Sequence, residues 1–402
     1  MFGRILRMWR KWRNKRVPAH HPSHRTLLRR RRLFVRQAAL DAIVVPSARA
    51  AEAVVHAGEL ARQLNCALIV LASRQAIGVE IVARLAPLSL KCLHVVDVPD
   101  DLASRLLAFR TSRILVDAGM ARPTDVSAKR NLGLAVARMA GFKRVLFLDD
   151  DMRIPRSADL KTAAGLLREH DAVGLRLGGF PDNSVVCHAI SETGKFQDTF
   201  VGGGALVVAT DRPMSFFPDL YNEDWFFLLD ESRLRPVTVT GTALQRAYDP
   251  FASVERARME EFGDVLAEGI FATLDDKGEI WDADFAYWRE FIWQRRDLIG
   301  RTIRRAKHGQ RNARKNGKMI RSLMAARSEL DQRVNAKLCV QFMDAWRHDL
   351  TSWKEFCKSL AEVDSVELAF ARFDLECVAR PATAPPLAAE PTVPATPQLE
   401  PA

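Results

Sequence analysis

The residues best suited to chemistry are three consecutive carboxylates, Asp149, Asp150 and Asp151, which follow the apolar run Val145–Leu148. Neighbouring carboxylates repel one another unless a cation or hydrogen-bond donors offset their charge. A hard divalent cation with oxygen ligands, Mg²⁺ or Mn²⁺, is the simplest such cation, and it can hold phosphate on its other side. The alternative is a solvated turn with a helix cap.

The run Val145–Leu148 predicts the element that positions these acids. Its apolar residues do not alternate with polar ones, which indicates a strand buried on both faces, as in a parallel sheet. Open α/β folds bind their ligands at the carboxyl ends of such strands. We therefore expect the three acids to lie at the ligand-binding edge of a sheet.

A second group, Lys129-Arg130-Asn131, begins a helix that we predict to be capped by Ser127 and closed by Gly141. The first turn of a helix presents free N–H groups and the positive end of the helix dipole. This position therefore predicts anion binding, with an ordinary exposed helix start as the alternative.

Two further segments follow the acids, Gly202–Gly204 and Asn222–Trp225. The glycines permit a close approach of the backbone to a ligand, or form a bulge. They match neither a dinucleotide fingerprint nor a P-loop. Glu223 and Asp224 precede an aromatic helix, whose start stabilises anions; a simple capping pair is the alternative.

Apolar runs separated by helical segments predict a parallel sheet with right-handed crossovers. The predicted strands are 40–47, 66–71, 92–96, 113–116, 144–148 and 171–178. The ends of the first three, at Ser47, Ser73 and Asp97, are expected at one edge, with Arg49 in the loop after the first.

Over residues 40–275, the helix start, the acids after a strand, the glycine segment and the Glu-Asp pair resemble the GT-A nucleotide-sugar glycosyltransferases, particularly the family 2 group. The resemblance implies an α/β fold of GT-A (Rossmann-like) type, with a mostly parallel sheet flanked by helices. It also implies a nucleotide-sugar donor and an unidentified glycan, lipid-linked or small-molecule acceptor.

The same resemblance implies roles for single residues. Asp149 and Asp151 hold Mg²⁺ or Mn²⁺, Asp224 is the base that takes the acceptor proton with inversion, and Glu223 orients the acceptor or supports the base. The residues expected at the nucleotide are Ser47, Arg49, Asp97, Arg130, Asn131 and Asp150. The family's usual acid after the second strand is absent here, which leaves the nucleotide base open.

Residues 1–36 hold 13 Lys/Arg and no Asp/Glu. Because the whole chain carries +11, residues 37–402 carry a net −2. Phe2, Ile5, Leu6, Trp9 and Trp12 would share one face of a helix. This pattern favours an anchor on an anionic membrane surface. The second interpretation is packing on the protein's own body or disorder, and the third is binding of nucleic acid.

The predicted organisation is the arm 1–36, a glycosyltransferase domain 37–280, a helical extension 281–378 and a disordered Pro/Ala-rich tail 379–402. Within it, Glu261, Asp264 and Glu268 are predicted to form a solvated helix face. The basic run Arg295–Arg321 is predicted to be a second solvated helix face, or to lie beside the donor diphosphate or an anionic surface.

Six cysteines lack zinc spacing, which predicts free thiols in a reducing compartment. No apolar run reaches the length of a membrane helix, and no signal peptide is apparent. We therefore expect a cytoplasmic protein, peripheral on the inner face of the membrane if the arm binds there.

Two other functions stay open. A nucleotidyltransferase of related fold would carry a glycine-rich loop after the first strand, whereas this chain has Pro46-Ser-Ala-Arg-Ala-Ala without glycine. A non-catalytic anion- or membrane-binding protein could keep the fold and would not need Glu223 and Asp224.

If the arm binds anionic membranes, deletion of residues 1–36 should abolish flotation with anionic liposomes, because each basic residue near such a surface contributes roughly 1 kcal/mol. Undiminished flotation of the deletion variant would refute the membrane interpretation.

Overall fold

The computed structural model describes residues 17–29, 34–180, 183–194, 200–308 and 313–378. The predicted amphipathic helix at residues 2–12 and the predicted disordered tail 379–402 lie outside this range.

One mixed sheet of eight strands forms the centre of the fold, in the order β3-β2-β1-β4-β7-β6-β8-β5. The strands are β1 Ala42–Ser47, β2 Ala67–Ala72, β3 Leu93–Asp97, β4 Arg144–Leu148, β5 Met152–Arg153, β6 Ala172–Gly179, β7 Ala205–Ala209 and β8 Val237–Gln245. Strands β1 to β4 pair in parallel, as do β6 and β8. β7 runs antiparallel to β4 and β6, and β5 to β8. The sheet is therefore mostly parallel, as predicted.

Helices cover the sheet and form the C-terminal part. They are α1 Val55–Leu64, α2 Gly78–Leu85, α3 Leu102–Leu106, α4 Arg110–Asp117, α5 Val126–Met139, α6 Ser157–Leu166, α7 Val185–Glu192, α8 Glu223–Phe227, α9 Val254–Asp275, α10 Phe285–His308, α11 Ala313–Gln332, α12 Ala336–Ser359 and α13 Val366–Ala371. Short 3-10 helices lie at Ala51–Val54, Ala86–Leu88 and Ile280–Asp282. The described residues between 281 and 378 lie mostly in helices α10 to α13.

Strand β1 shows why the central strands lack alternation. Ala42 and Val44 point into the core on one face of the sheet, and Ile43 and Val45 into the core on the other. All four are fully buried. Both faces of the sheet are covered, so these four successive positions are all apolar.

The expected strand at Arg113–Val116 is wrong, because these residues belong to helix α4. The side chain of Leu115 is buried and that of Val116 is exposed, which suits a one-sided helix. Arg113 pairs with Asp117 one turn later. The carboxylate of Asp349 accepts the amide N–H groups of Arg110 and Thr111 and thereby caps the start of this helix.

Two predicted element boundaries also differ. Pro46 lies inside β1 rather than ending it; its missing N–H is tolerated because the pairing of β1 with β4 stops at Val44. Ser127 lies inside α5, which begins after Asp125, and donates its hydroxyl to the Pro218 carbonyl at 2.9 Å.

The C-terminal helices share one core with the sheet and its helices, including Trp346 and Trp353 on α12. Val378 N–H donates to Val95 O at 2.7 Å on the outer edge of β3. The described helices of the C-terminal part, α10 to α13, are therefore packed into the body of the protein.

Residues 17–29 of the basic arm also pack on the body. His21 and His24 are 1% exposed and lie against Trp225 and Phe271. A flotation test is therefore cleaner with a deletion that stops at residue 16. No helix among the described residues combines the length and apolarity needed to cross a membrane.

Asp349→Ala should lower the free energy of unfolding by about 3 kcal/mol, because the amide and hydroxyl groups of Thr111 and the amide of Arg110 lose their acceptor. Urea unfolding measures this loss. The matched control is Asp344→Ala on the same helix. The exposed side chain of Asp344 pairs with Arg347, and its loss should change the free energy of unfolding by no more than about 0.5 kcal/mol. Equal effects of the two substitutions would contradict the capping role.

Candidate active site

The loop after β1 is tied to the acids after β4. Asp150 accepts hydrogen bonds from Ser47 Oγ at 2.9 Å, from Ala48 N at 3.1 Å and from Arg49 N at 3.2 Å. The Arg49 guanidinium contacts it as well. Ser47, Arg49 and Asp150 are thus brought together, as strand order predicts; a contact of these three with a nucleotide stays a prediction.

Arg49 also reaches Asp151, with Nη2 2.9 Å from Oδ2. Burial raises the pKa of Asp151, and the neighbouring Asp149 raises it further, while Arg49 lowers it. The net direction of the pKa shift is upward, and burial is its largest cause.

The buried Arg130 on α5 connects the acids after β4 with the Glu-Asp pair. Its Nη2 donates to the Asp149 carboxylate at 2.8 Å, and its Nη1 donates to Glu223 Oε1 at 2.7 Å. Burial disfavours its charge, but Asp149, Glu223 and Asp224 together hold its pKa above the usual arginine value. This side chain is 2% exposed, so both ion pairs are largely shielded from water.

The three glycines pass between these groups. A Cβ on Gly203 would lie 2.7 Å from Arg130 Nη1, and one on Gly204 would lie 3.2 Å from Asp149 Oδ2. Only a residue without a side chain lets the guanidinium lie this close to the backbone at position 203. Of the two interpretations drawn from the sequence, the structure supports close approach, although the approaching group is Arg130.

Asp224 is half-buried and faces the glycine segment. Its Oδ2 accepts Gly203 N–H at 2.6 Å, and its Oδ1 accepts Trp225 N–H at 2.9 Å. Glu223 is 8% exposed and is fully engaged by arginines, because Arg122 Nη1 lies 3.4 Å from its second oxygen. The pair is therefore divided between an accessible acid, Asp224, and a structural one, Glu223.

A cavity of about 110 Å³ opens among these groups. Its walls include Asp149, Arg130, Gly202, Glu223 and Asp224. The aromatic residues that line the cavity are Phe200, Tyr221 and Trp225, and the acids Asp264 and Glu268 line it as well. Clefts with a few convergent polar groups and aromatic walls are the usual form of a small-molecule site.

Two predicted nucleotide residues serve the structure. Asn131 is 2% exposed; its amide donates to Phe217 O and its carbonyl accepts Phe217 N–H. Asp97 is exposed at the end of β3 and accepts Gly78 N–H at 2.7 Å at the start of α2. Neither lines the cavity, and a nucleotide contact for either stays a prediction.

Sequence reasoning missed the roles of Lys129, Arg122 and Asp219. Lys129 Nζ donates to Ser47 O and to Ser73 Oγ, which joins the ends of β1 and β2. Asp219 lies near Arg122 and Glu223, and burial raises its pKa to about 6, against the effect of Arg122. None of the three forms a recognisable motif, so only their spatial neighbours reveal them.

The predicted solvated face of α9 is wrong. Glu261, Asp264 and Glu268 are at most 2% exposed, and all three surround the fully buried Arg295. The prediction that the basic run Arg295–Arg321 is solvated therefore fails at its first residue. The acids are buried because α10 supplies a cation to a polar stripe that looks solvent-facing in sequence.

The outer two acids after β4 fit a hard metal ion, although only Asp149 of these two lines the cavity. Asp149 and Asp151 offer oxygen atoms only, the donor type that suits Mg²⁺ and Mn²⁺. Their side chains keep 28% and 17% exposure. Within the described part of the chain, these acids do not belong to any close group of three potential ligands. The remaining oxygens would have to come from water or a ligand.

Arg130→Met should lower the free energy of unfolding by about 3 kcal/mol, because it leaves Asp149 and Glu223 without their shared cation in a buried place. Arg49→Met is the matched control, since its half-exposed side chain also bridges two acids and should contribute less than about 1 kcal/mol. Urea unfolding of both variants measures the difference. Equal losses would refute the idea that Arg130 is the main internal counter-ion.

No protein-family model matches this chain. No curated protein matches it either. Among solved structures, it is similar to a mannosyltransferase, PcManGT from Pyrobaculum calidifontis, in complex with GDP-Man and Mn²⁺. The alignment covers 82% of this chain and 95% of that chain, with 15% identity and a TM-score of 0.43. A likeness this distant supports no argument about function, so the proposal below depends on the site itself.

Proposed function

We propose that this chain is a metal-dependent glycosyltransferase of GT-A type that moves a sugar from a nucleoside-diphosphate donor to an acceptor hydroxyl. The observation that carries the proposal is the convergence of Asp149, Arg130 and Asp224 on one aromatic-walled cavity, at the carboxyl end of β4. Metal-binding acids and an accessible carboxylate are the two parts that such a transfer needs.

Asp149 and Asp151 are the residues that would hold Mg²⁺ or Mn²⁺. When bound, the ion acts as a Lewis acid that stabilises charge on the departing diphosphate. Ser47, Arg49 and Asp150, which bond to one another beside Asp151, form the wall where the nucleoside is proposed to lie.

Asp224 is the proposed general base. As the acceptor oxygen attacks the anomeric carbon, the bond from that carbon to the diphosphate breaks, and the acceptor proton moves to Asp224. Attack opposite to the leaving group inverts the anomeric centre. A well-placed carboxylate contributes typically about 10²–10⁴-fold.

Glu223 and Arg130 hold this arrangement in place. Arg130 bonds Asp149 on the metal side and Glu223 on the base side, so one side chain sets the separation of the two halves. Arg122 gives Glu223 a second cation. This geometry supports a role of Glu223 in supporting the base rather than in contacting the acceptor.

One observation favours the non-catalytic alternative. Arginines accompany all three acids after β4, with Arg49 at Asp150 and Asp151 and Arg130 at Asp149. An internally neutralised cluster needs no metal. A binding experiment therefore has to precede any kinetic one.

The test is a screen of UDP-, GDP- and dTDP-sugars with Mg²⁺ or Mn²⁺, with binding measured by calorimetry and turnover by release of the nucleoside diphosphate. Asp151→Ala should lose metal-dependent binding and turnover. Asp224→Asn should keep nucleotide binding and lose turnover by about 10²–10⁴-fold. Chelation of the metal should stop the wild type.

Asp117→Ala is the matched control, because this aspartate is exposed on α4, lies outside the cavity lining and pairs with Arg113. It should behave as the wild type. Absence of nucleotide-sugar binding under every metal condition would reject the transferase and favour the non-catalytic protein. Full turnover by Asp224→Asn would reject the assigned base.

A further inference from the structure

The floor of the cavity belongs to a buried ionic cluster formed by Arg295, Glu261, Asp264 and Glu268. Arg295 Nε lies 3.1 Å from Glu261, while Nη2 and Nη1 each lie 2.7 Å from Asp264 and Glu268, respectively. The guanidinium is fully buried, so these contacts are made away from water. Asp264 and Glu268 also line the cavity, so the cluster adjoins the proposed reaction site.

This cluster is unusual in its charge balance, because one guanidinium faces three carboxylates. Burial raises the pKa of Glu261 to about 8, against the effect of Arg295. Burying ions is costly, and apolar residues of similar volume often stabilise a fold better. Stability alone therefore does not explain why charged side chains occupy these buried positions.

The contact that supplies this explanation joins Asp264 to Asn222, the residue before the Glu-Asp pair. Asn222 Nδ2 donates to Asp264 Oδ1 at 2.8 Å, while the other Asp264 oxygen faces Arg295. Asn222 has φ 63° and ψ 33°, in the left-handed region that disfavours side chains. A side-chain bond to a rigid partner fixes this turn at the point where the chain enters α8.

The turn at Asn222 also sets the position of Asp224. Asn222 O accepts Trp225 N–H at 3.1 Å, which begins the single turn of helix that carries both acids. A helix this short has little stability of its own. Its orientation therefore depends on Asn222 at its start and on the packing of Trp225 against Phe200 and His24.

Three histidines of the arm, His20, His21 and His24, also contact the cluster or the glycine segment's neighbourhood. Glu268 accepts His21 N–H at 2.9 Å and contacts the ring of His20. His24 Nδ1 accepts Val201 N–H at 3.1 Å, one residue before the glycine segment. The arm thus bonds to the buried cluster through Glu268 and, separately, to the segment before the glycines through His24.

We propose that Asp264 and Arg295 are positioning residues, which hold the Asn222 turn so that Asp224 faces the acceptor across the cavity. This inference rests on the proposed function. Neither residue would contact the reacting atoms; Arg295 fixes Asp264, and Asp264 fixes Asn222. Misplacement of a reacting group by about 1 Å costs up to about 10²-fold in rate, so a loose turn should be visible in kcat.

Two substitutions of Asn222 test the proposal. Asn222→Gly keeps the left-handed conformation without strain and removes the bond to Asp264, and Asn222→Asp places a carboxylate against Asp264. We expect kcat to fall roughly 10- to 100-fold in the glycine variant and further in the aspartate variant. Nucleotide affinity should stay within about twofold, since the metal side of the cavity is untouched. Arg296→Ala is the matched control, because this neighbour of Arg295 is partly exposed and pairs with Asp331.

Hydrogen exchange separates this proposal from the proposed function. Both Asn222 variants should exchange the amide protons of residues 223–228 faster than the wild type, whereas Arg296→Ala should not. This readout needs no substrate, so it holds even if the wild type turns over no donor. Unchanged exchange would overturn the positioning role, and so would a fall in nucleotide affinity parallel to kcat.

Discussion

The arrangement of this protein depends on one buried cation, Arg130, held between two acids that are far apart in the sequence. It brings Asp149, which ends the β4 strand, and Glu223, which starts a later helix, to the same guanidinium. The glycine at 203 leaves the space in which this guanidinium lies. The strand, the glycine segment and the short acidic helix thus meet at one side chain, and the cavity is the space left beside it.

The three acids after β4 have different surroundings although they are adjacent. Asp150 is turned to the end of β1 and is 3% exposed, whereas Asp149 faces the cavity and Asp151 lies beside Arg49. Asp150 and Asp151 lie in a turn, in which Met152 N–H donates to Asp149 O at 3.0 Å, and the turn directs the three side chains differently. The middle acid bonds the loop after β1, while the outer two pair with Arg130 and Arg49.

Much of the sheet could be predicted from the sequence, because burial on both faces leaves a local signal. The uninterrupted apolar runs of β1, β2 and β4 are such signals. The convergence of Ser47 and Asp150 follows from the same logic, since parallel strands end at one edge. The position of Arg130 was also expected, from its place at a helix start.

What could not be predicted depends on partners distant in the chain. Helix α4 takes its cap from Asp349, 239 residues from Arg110, so no local pattern reveals it. The stripe of Glu261, Asp264 and Glu268 has the spacing of a solvated face, and only Arg295 on the next long helix reverses that interpretation. Asp149 and Glu223 both stood out in the sequence, but no local pattern indicated that Arg130 would bond to the two of them.

The cap on α4 has a further consequence for how the molecule is made. A ribosome must add the residues up to Asp349 before the first turn of α4 can be satisfied, although α4 lies in the first third of the chain. Contacts of such long separation close large loops and slow folding. Helix α4 therefore stays uncapped until a much later helix has been synthesised. During this interval the apolar surface that the later helices cover is exposed, and chaperones would protect it from aggregation.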